Sequence, residues 1–483
     1  MNYKSVYNIV CRMLAVEAVL LLIPAGVSLA YGEMRSFFCF LITAGITAVL
    51  SIPAIIIFRK GDRHALYAKE GLVTVSLAWI LWSALGALPF VLEGCIPNYI
   101  DALFETVSGF TTTGASILKN IEALPKGMLF WRSFTHWIGG MGVLVFVMTI
   151  VPLSDDHSML LMRAEMPGPT VGKLVPKGKS TAKILYLIYI CMTLAEIVFL
   201  LFGGMSVFDA FIHAFGTAGT GGFSSYNASI AHFNSIYIEM VIAVFMLLFG
   251  INFNIYFFIL IRKIKGVLHN DEWKVYLSII AVATGIIAVA TLGIYGTFGT
   301  SLRYAFFQVV SFITSTGYVS TSFVAWPAVC RSILLMLMVI GACAGSTGGG
   351  LKVSRAIILF RGLKKELHQM LHPKAVSHVK MDGAIVDEKA VKSAAIYFFA
   401  LFAIIGVSAF AISTDNLSLE TNLSAVLSCT GNTGPGYGAA SSNFACFSWF
   451  SKIILSLDML FGRLEIFPLL IALTPGVWKK KFF

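Results

Sequence analysis

Four stretches of the chain repeat one order of residue types and align without a gap: DALFETVSGFTTTG (101–114), DAFIHAFGTAGTGG (209–222), YAFFQVVSFITSTG (304–317) and TNLSAVLSCTGNTG (421–434). The first half of each is apolar but too short to cross a ~30 Å hydrocarbon core. The second half is too rich in glycine and hydroxyl side chains to continue as helix or strand. A half-helix followed by an extended loop is the predicted element. Such a loop can ligate a desolvated monovalent cation with backbone carbonyls, and glycine allows the backbone angles that aim them inward. The candidate ligating residues are Thr112, Thr113 and Gly114; Thr220, Gly221 and Gly222; Ser315, Thr316 and Gly317; and Asn432, Thr433 and Gly434. One such glycine alone reads as readily as a loop-closing turn; four in phase favour a common role. The second copy carries Gly221 where the others have threonine, so the predicted ring is only approximately symmetric.

These loops need a scaffold, and the composition says which. Of 483 residues, 58% are hydrophobic and 12% charged, against about a quarter charged in soluble chains, which excludes an ordinary soluble enzyme. Apolar runs predict ten membrane spans, near 12–31, 36–58, 72–94, 128–152, 182–205, 235–261, 274–298, 328–360, 391–412 and 445–473. The four segments follow the third, fifth, seventh and ninth. Non-helical backbone at membrane depth is tolerated only against protein or a watery cavity, so all four loops should line one cavity. Each half-helix would point its negative C-terminal end at the centre, favouring a cation there. The predicted fold is an all-α polytopic membrane protein: two leading helices (1–70), then four pseudo-repeats of helix, re-entrant loop and helix (71–155, 181–262, 273–361 and 390–475) around one pore, and a tail (476–483). The run 13–30 has the look of a signal peptide but is longer and weakly charged at its start, and it reads as a retained helix.

With the N-terminus cytoplasmic, inside segments hold 27 of the 35 Lys and Arg residues and outside segments seven, which predicts N-in, C-in topology. That distribution accounts for the net charge of +11 without nucleic acid. Glu33, Glu93, Asp101, Glu105, Glu122, Asp209, Asp415 and Glu420 fall on the outer side, predicting a mildly acidic face that concentrates cations, with ordinary surface charge as the plainer account. Asp101 and Asp209 begin half-helices, as N-caps or as ion-attracting groups. His136 and His213 read as packed, hydrogen-bonded side chains. The eight cysteines show no metal-ligand spacing; Cys95 and Cys429 leave one disulfide open, with buried thiols preferred. GKST at 178–181 lacks the earlier glycine of a P-loop, since position 173 is Lys173, and no GxGxxG occurs, so no nucleotide cofactor is predicted in this chain. Scattered histidines form no constellation for a membrane-embedded enzyme.

The eighth span is anomalous. Residues 328–360 would make a helix of ~50 Å, yet its middle contains Gly345, Ser346, Thr347, Gly348, Gly349 and Gly350. This run predicts an unwound loop inside the membrane; close helix packing would call for spaced small residues instead. Arg463 lies deep in the last apolar stretch, where a charge must face protein or water. It either presents a fixed positive charge to the cavity or pairs with Asp458 or Glu465.

The four segments, SFTHWIGGMGVLVF (133–146) and AGSTGGGLK (344–352) together resemble the Trk/Ktr/HKT superfamily of potassium transporters. The two leading spans and the length are more similar to the membrane subunit of the bacterial Trk system than to the shorter Ktr subunit. The resemblance covers essentially the whole chain. It implies K⁺ bound and conducted at the four loops, with Gly114, Gly222, Gly317 and Gly434 as selectivity glycines. It also implies an intramembrane gate formed by 345–350, with Arg463 beside it. Plant members with sodium preference carry serine at the first glycine, and Gly114 points the other way; the imperfect symmetry leaves Na⁺ open as a second permeant ion. The resemblance further implies a bacterial inner-membrane location, a homodimer, and a cytosolic TrkA-like nucleotide-binding regulatory subunit through which any NAD or ATP dependence would act. The segment 352–392, with nine Lys and Arg, is placed to receive it. An H⁺- or Na⁺-coupled symporter is the alternative mechanism; its usual two-fold repeat would not predict four equal segments.

Overall fold

The computed structural model describes residues 3–57, 68–142 and 178–478. Two leading helices, α1 (Tyr3–Leu20) and α2 (Leu22–Ala30), act as one long apolar run. Helix α3 (Met34–Ile57) packs on both. Four repeats follow. The first comprises α4 (Ala68–Gly86), the short α5 (Leu88–Glu93), the half-helix α6 (Tyr99–Phe110) and α7 (Lys126–Gly140). The second comprises α8 (Gly178–Phe202), the half-helix α9 (Val207–Ala218), α10 (Ile236–Phe249) and α11 (Phe253–Leu260). The third has α12 (Asp271–Ala290), the half-helix α13 (Phe298–Ile313), α14 (Ala328–Ile340) and α15 (Val353–Leu371). The fourth has α16 (Glu388–Ile412), the half-helix α17 (Leu419–Gly431), α18 (Trp449–Arg463) and α19 (Phe467–Leu473).

The apolar residues bury themselves in two large clusters. One joins the leading helices to the first and fourth repeats around Trp79, Trp82 and Trp131. The other joins the second and third around Tyr276, Phe307 and Tyr318. Six described helical runs are long and apolar enough to cross a membrane, and a bent pair makes a seventh.

The remaining spans depart from the continuous helices expected of them. Helices α10 and α11 meet at 87°. The break between α18 and α19 passes through Glu465 and Ile466, both with positive φ, and α7 stops at Gly140 with Gly142 at φ 86°. With the predicted break between α14 and α15, the helix after the filter-like loop is interrupted in the second, third and fourth repeats. The rest of the expected span 128–152 and the end of the 133–146 motif lie outside the described residues, as do most of the basic segments at 59–69 and 163–183 and the final lysines. Cys95 and Cys429 are both free thiols, and Cys429 is buried within α17. One small element was not expected: between α15 and α16, β1 (Lys380–Met381) pairs antiparallel with β2 (Ala384–Ile385) through an Asp382-Gly383 turn, both turn residues having positive φ, the signature of a tight hairpin. Asp382 accepts from the Asp271 amide (2.7 Å), which docks this hairpin on the start of α12.

Candidate functional site

Each half-helix is started by a side-chain cap and stopped in the same way. Asn98, Ser206, Thr297 and Ser418 accept from the amides of Ile100, Asp209, Thr300 and Thr421. Asp101 and Asp209 are therefore not the N-caps; they sit in the first turn, where the helix dipole favours negative charge. Asp101 takes Lys452 at 2.7 Å, and Asp209 accepts from the hydroxyls of Ser206 (2.7 Å) and Ser225 (2.6 Å).

At the C-terminal ends, four backbones do the same thing. Thr112, Thr220, Ser315 and Asn432 have φ between 52° and 57°, the next residue returns to negative φ, and Gly114, Gly222, Gly317 and Gly434 have φ of 78°, 77°, 78° and 100°. Alternating handedness gathers N–H groups on one side of a chain and carbonyls on the other. The N–H side faces back into the helix: Thr113, Gly221, Thr316 and Thr433 donate to the carbonyls of Ser108, Gly216, Ser311 and Ser428 at 2.8–2.9 Å. Among the described residues, the carbonyl oxygens of Thr113, Gly221, Thr316 and Thr433 accept no protein hydrogen bond.

The four loops close on each other in chain order. A Cβ on Gly114 would lie 1.9 Å from the Gly221 oxygen, one on Gly222 2.0 Å from that of Thr316, one on Gly317 2.0 Å from that of Thr433, and one on Gly434 2.7 Å from that of Thr113. Each glycine is thus the seat for the next repeat's carbonyl. The same four glycines line one cavity of about 390 Å³. Of the twelve residues singled out in the sequence, eight meet in this ring: the four glycines and the four residues that precede them.

The symmetry defect at Gly221 has a physical cause. The ring of His136, buried on α7, occupies the place of the missing side chain: a Cβ at 221 would lie 2.3 Å from it. His136 is held by the Gly109 carbonyl through Nδ1 (2.7 Å) and stacks on Phe223 with ring centroids 4.1 Å apart. Gly221→Thr is therefore expected to destabilise the protein by about 1–3 kcal/mol through overpacking, read as a lowered melting temperature. His136→Ala added to it should restore much of the loss.

The outer acidic residues do not converge on the ring. Among the described residues, no carboxylate lines the 390 Å³ cavity, and each of the eight acidic residues has a partner of its own. Glu105 is buried against Arg132 (2.8 Å), Glu420 pairs with Arg331 (2.8 Å), Glu33 and Asp415 accept backbone amides from Lys126 and Ser448, and Glu122 and Glu93 accept from the Asn227 amide and the Cys39 thiol.

On the other side of the ring lies the chain between α14 and α15. Positive φ at Gly341, Gly345, Gly350 and Lys352 folds it into a hairpin, zipped where Leu351 and Lys352 donate to Val339 and Ile340. Its returning arm abuts the bases of the third and fourth loops. The Gly349 amide donates to Ser315 Oγ (2.6 Å), and a Cβ at 349 would meet the Gly431 oxygen at 2.3 Å. Glu272 Oε1 accepts from both Ala344 (2.6 Å) and Ser354 (3.0 Å), and the Lys352 ammonium donates to the Gly348 carbonyl.

Arg463, the last residue of α18, reaches this hairpin. Its guanidinium donates to the Thr347 carbonyl (2.8 Å) and to Gly139 and Gly140 at the end of α7 (2.5 and 2.6 Å). It lines a small cavity of about 50 Å³ with Gly348, Gly349 and Lys352. Of the two pairings considered for it, Glu465 is taken by Arg355, and Asp458 accepts from Ser408 at 2.7 Å. Sequence reasoning missed Glu272 and Lys352, as well as the end of α7 at Gly140 and the breaks at 250–252 and 464–466. Gly140, Gly250 and Gly462 were the available signal: a Cβ on each would strike the base of a loop, at Gly219, Thr314 and Thr430 respectively.

Comparisons with known proteins agree with this architecture. The chain is 36% identical to the Trk system potassium uptake protein TrkH of Salmonella typhimurium strain LT2, across 99% of this chain and all of that protein. It is 34% identical to the Trk system potassium uptake protein TrkG of Escherichia coli strain K12, across 94% of each. The crystal structure of the potassium transporter TrkH from Vibrio parahaemolyticus superposes with a TM-score of 0.88 at 33% identity, covering 99% of this chain and 100% of that one. Residues 40–479 match the TrkH family, described as cation transport protein. By sequence along nearly its whole length and by fold, the chain belongs to the TrkH family of cation transport proteins.

Proposed function

We propose that this protein takes up K⁺ across the bacterial cytoplasmic membrane by conduction through a single pore, with the four repeats (71–155, 181–262, 273–361 and 390–475) each supplying one wall. The observation that carries this reading is the closed ring, in which each glycine seats the next repeat's free carbonyl and all four glycines share one cavity. Carbonyls that need no protein donor are available to replace an ion's water. The filter is formed by Thr112–Gly114, Thr220–Gly222, Ser315–Gly317 and Asn432–Gly434. The hairpin residues Gly345, Ser346, Thr347, Gly348, Gly349 and Gly350, locked by Arg463, form the gate beneath it.

The charge distribution supports cytoplasmic termini, so that the half-helices enter from outside and the gate lies on the cytoplasmic side. Helix α15 leads from the gate into the basic 352–392 segment, a site suited to a cytosolic nucleotide-binding regulatory subunit of the TrkA kind, and the assembly is a homodimer. In purified protein reconstituted into liposomes, ⁸⁶Rb⁺ accumulation driven by an outward K⁺ gradient should proceed without any H⁺ or Na⁺ gradient and collapse when the membrane is shunted. Strict dependence on an imposed H⁺ or Na⁺ gradient would replace conduction by coupled symport.

A further inference from the structure

One column of the repeat alignment, a turn before the end of each half-helix, reads Glu105, His213, Gln308 and Ala425. The first three side chains reach past the proposed filter to the segment that follows its glycine. Glu105 accepts from the Ile117 amide (2.9 Å) and from Ser116 Oγ (2.9 and 3.1 Å). His213 Nε2 is 3.0 Å from Ser224 Oγ, while its Nδ1 is fixed by the Asp209 carbonyl at 2.7 Å. Gln308 makes only a 3.5 Å contact to the Thr321 carbonyl. In the fourth repeat, the neighbouring Ser424 accepts from the Tyr437 amide (2.8 Å).

The first two contacts are joined into one. Arg132 donates to Glu105 (2.8 Å), to Ser116 Oγ (3.3 Å) and, across the repeat boundary, to the Ser224 carbonyl (3.4 Å). Its guanidinium stacks over Phe223, 4.1 Å from the ring centroid. The pair is fully buried, Arg132 being 2% and Glu105 1% exposed. A buried ion pair is a poor source of stability compared with apolar packing, and ionisable groups at membrane depth are commonly functional.

We propose, resting on the pore reading above, that Glu105, Arg132 and His213 are positioning residues for ion selectivity. They hold the segments after Gly114 and Gly222 so that the first two walls of the ring cannot contract around an ion smaller than K⁺. The Glu105–Arg132 pair is charge-assisted, and such hydrogen bonds are stronger than neutral ones; because Arg132 also bridges to the Ser224 segment, the first two walls are braced as one unit. The third and fourth walls, held by neutral contacts, follow the ion.

The test is the K⁺/Na⁺ permeability ratio of the full chain in liposomes. Glu105→Gln with Arg132→Gln removes both charges together and avoids stranding one of them. The variant should remain folded by gel filtration and conduct Rb⁺, with a ratio lowered about tenfold, the scale of one hydrogen bond to a charged group. Ser116→Ala with Ser224→Ala, a milder change that removes only two hydroxyls, should lower it about threefold, on the scale of a neutral hydrogen bond. Gln308→Leu should move it less than either. An unchanged ratio in the folded serine variant, or in the folded charge-free one, overturns the proposal. A wild-type protein that conducts no K⁺ would instead overturn the pore reading itself.

Discussion

Arg463→Ala is expected to raise K⁺ flux by one to two orders of magnitude while leaving the K⁺/Na⁺ ratio intact. Coulomb repulsion between two unit charges is on the order of 3 kcal/mol at about 6 Å and an effective dielectric constant of about 20, the scale by which a fixed charge beside the gate opposes a passing cation. The same guanidinium pins the hairpin tip through the Thr347 carbonyl and ties it to Gly139 and Gly140 on α7, so its removal frees the proposed gate as well as discharging it. Of the residues whose carbonyls are liberated, Gly140 lines a small cavity where water can enter in place of the guanidinium, so the protein should fold. Arg463→Lys separates the two contributions: it keeps the charge and loses the planar fork, and should stay nearer the wild-type flux if charge dominates. Rb⁺ uptake by the purified variants is the measurement. Unaltered flux through well-folded Arg463→Ala would leave the arginine a purely structural tie.

Gly114→Ser is expected to lower the K⁺/Na⁺ permeability ratio ten- to hundredfold, and to do so by displacing a different repeat. The new Cβ would sit 1.9 Å from the Gly221 oxygen, and the backbone at φ 78° already disfavours any side chain, a strain of about 1–3 kcal/mol. The second repeat's carbonyl must therefore retreat from the proposed filter. The geometry also ranks the ring. Gly222→Ser and Gly317→Ser, with clearances of 2.0 Å, should behave like Gly114→Ser, whereas Gly434→Ala, with 2.7 Å to the Thr113 oxygen, should be the mildest glycine substitution. Bi-ionic reversal potentials across a planar bilayer give these ratios directly; equal ratios for Gly114→Ser and wild type would remove Gly114 from the filter.

What the sequence disclosed was whatever depends on local composition. Four runs of glycine and hydroxyl residues after short apolar stretches are incompatible with helix, and the glycine-rich middle of 328–360 even more so, which is why the half-helices, their loops and the hairpin were all legible. Less legible was anything decided by a neighbour distant in sequence. In the run 235–261 the one signal of the 87° bend is Gly250, which resembles any helix-packing glycine until α12 and the third loop press on it with Tyr276 and Thr314. His136 filling the space beside Gly221 links residues on two repeats. The outer carboxylates were counted as free surface charge because their partners, Arg132 for Glu105 and Lys452 for Asp101, lie 27 and 351 residues away.

The double attachment at Glu272 carries a mechanical consequence. A single carboxylate oxygen grips the chain at both Ala344, inside the hairpin loop, and Ser354, in the first turn of α15, so the loop and the start of α15 are moored to one post on α12. A pull delivered along α15 meets that post first; it must carry the loop along with it, or tear the mooring loose.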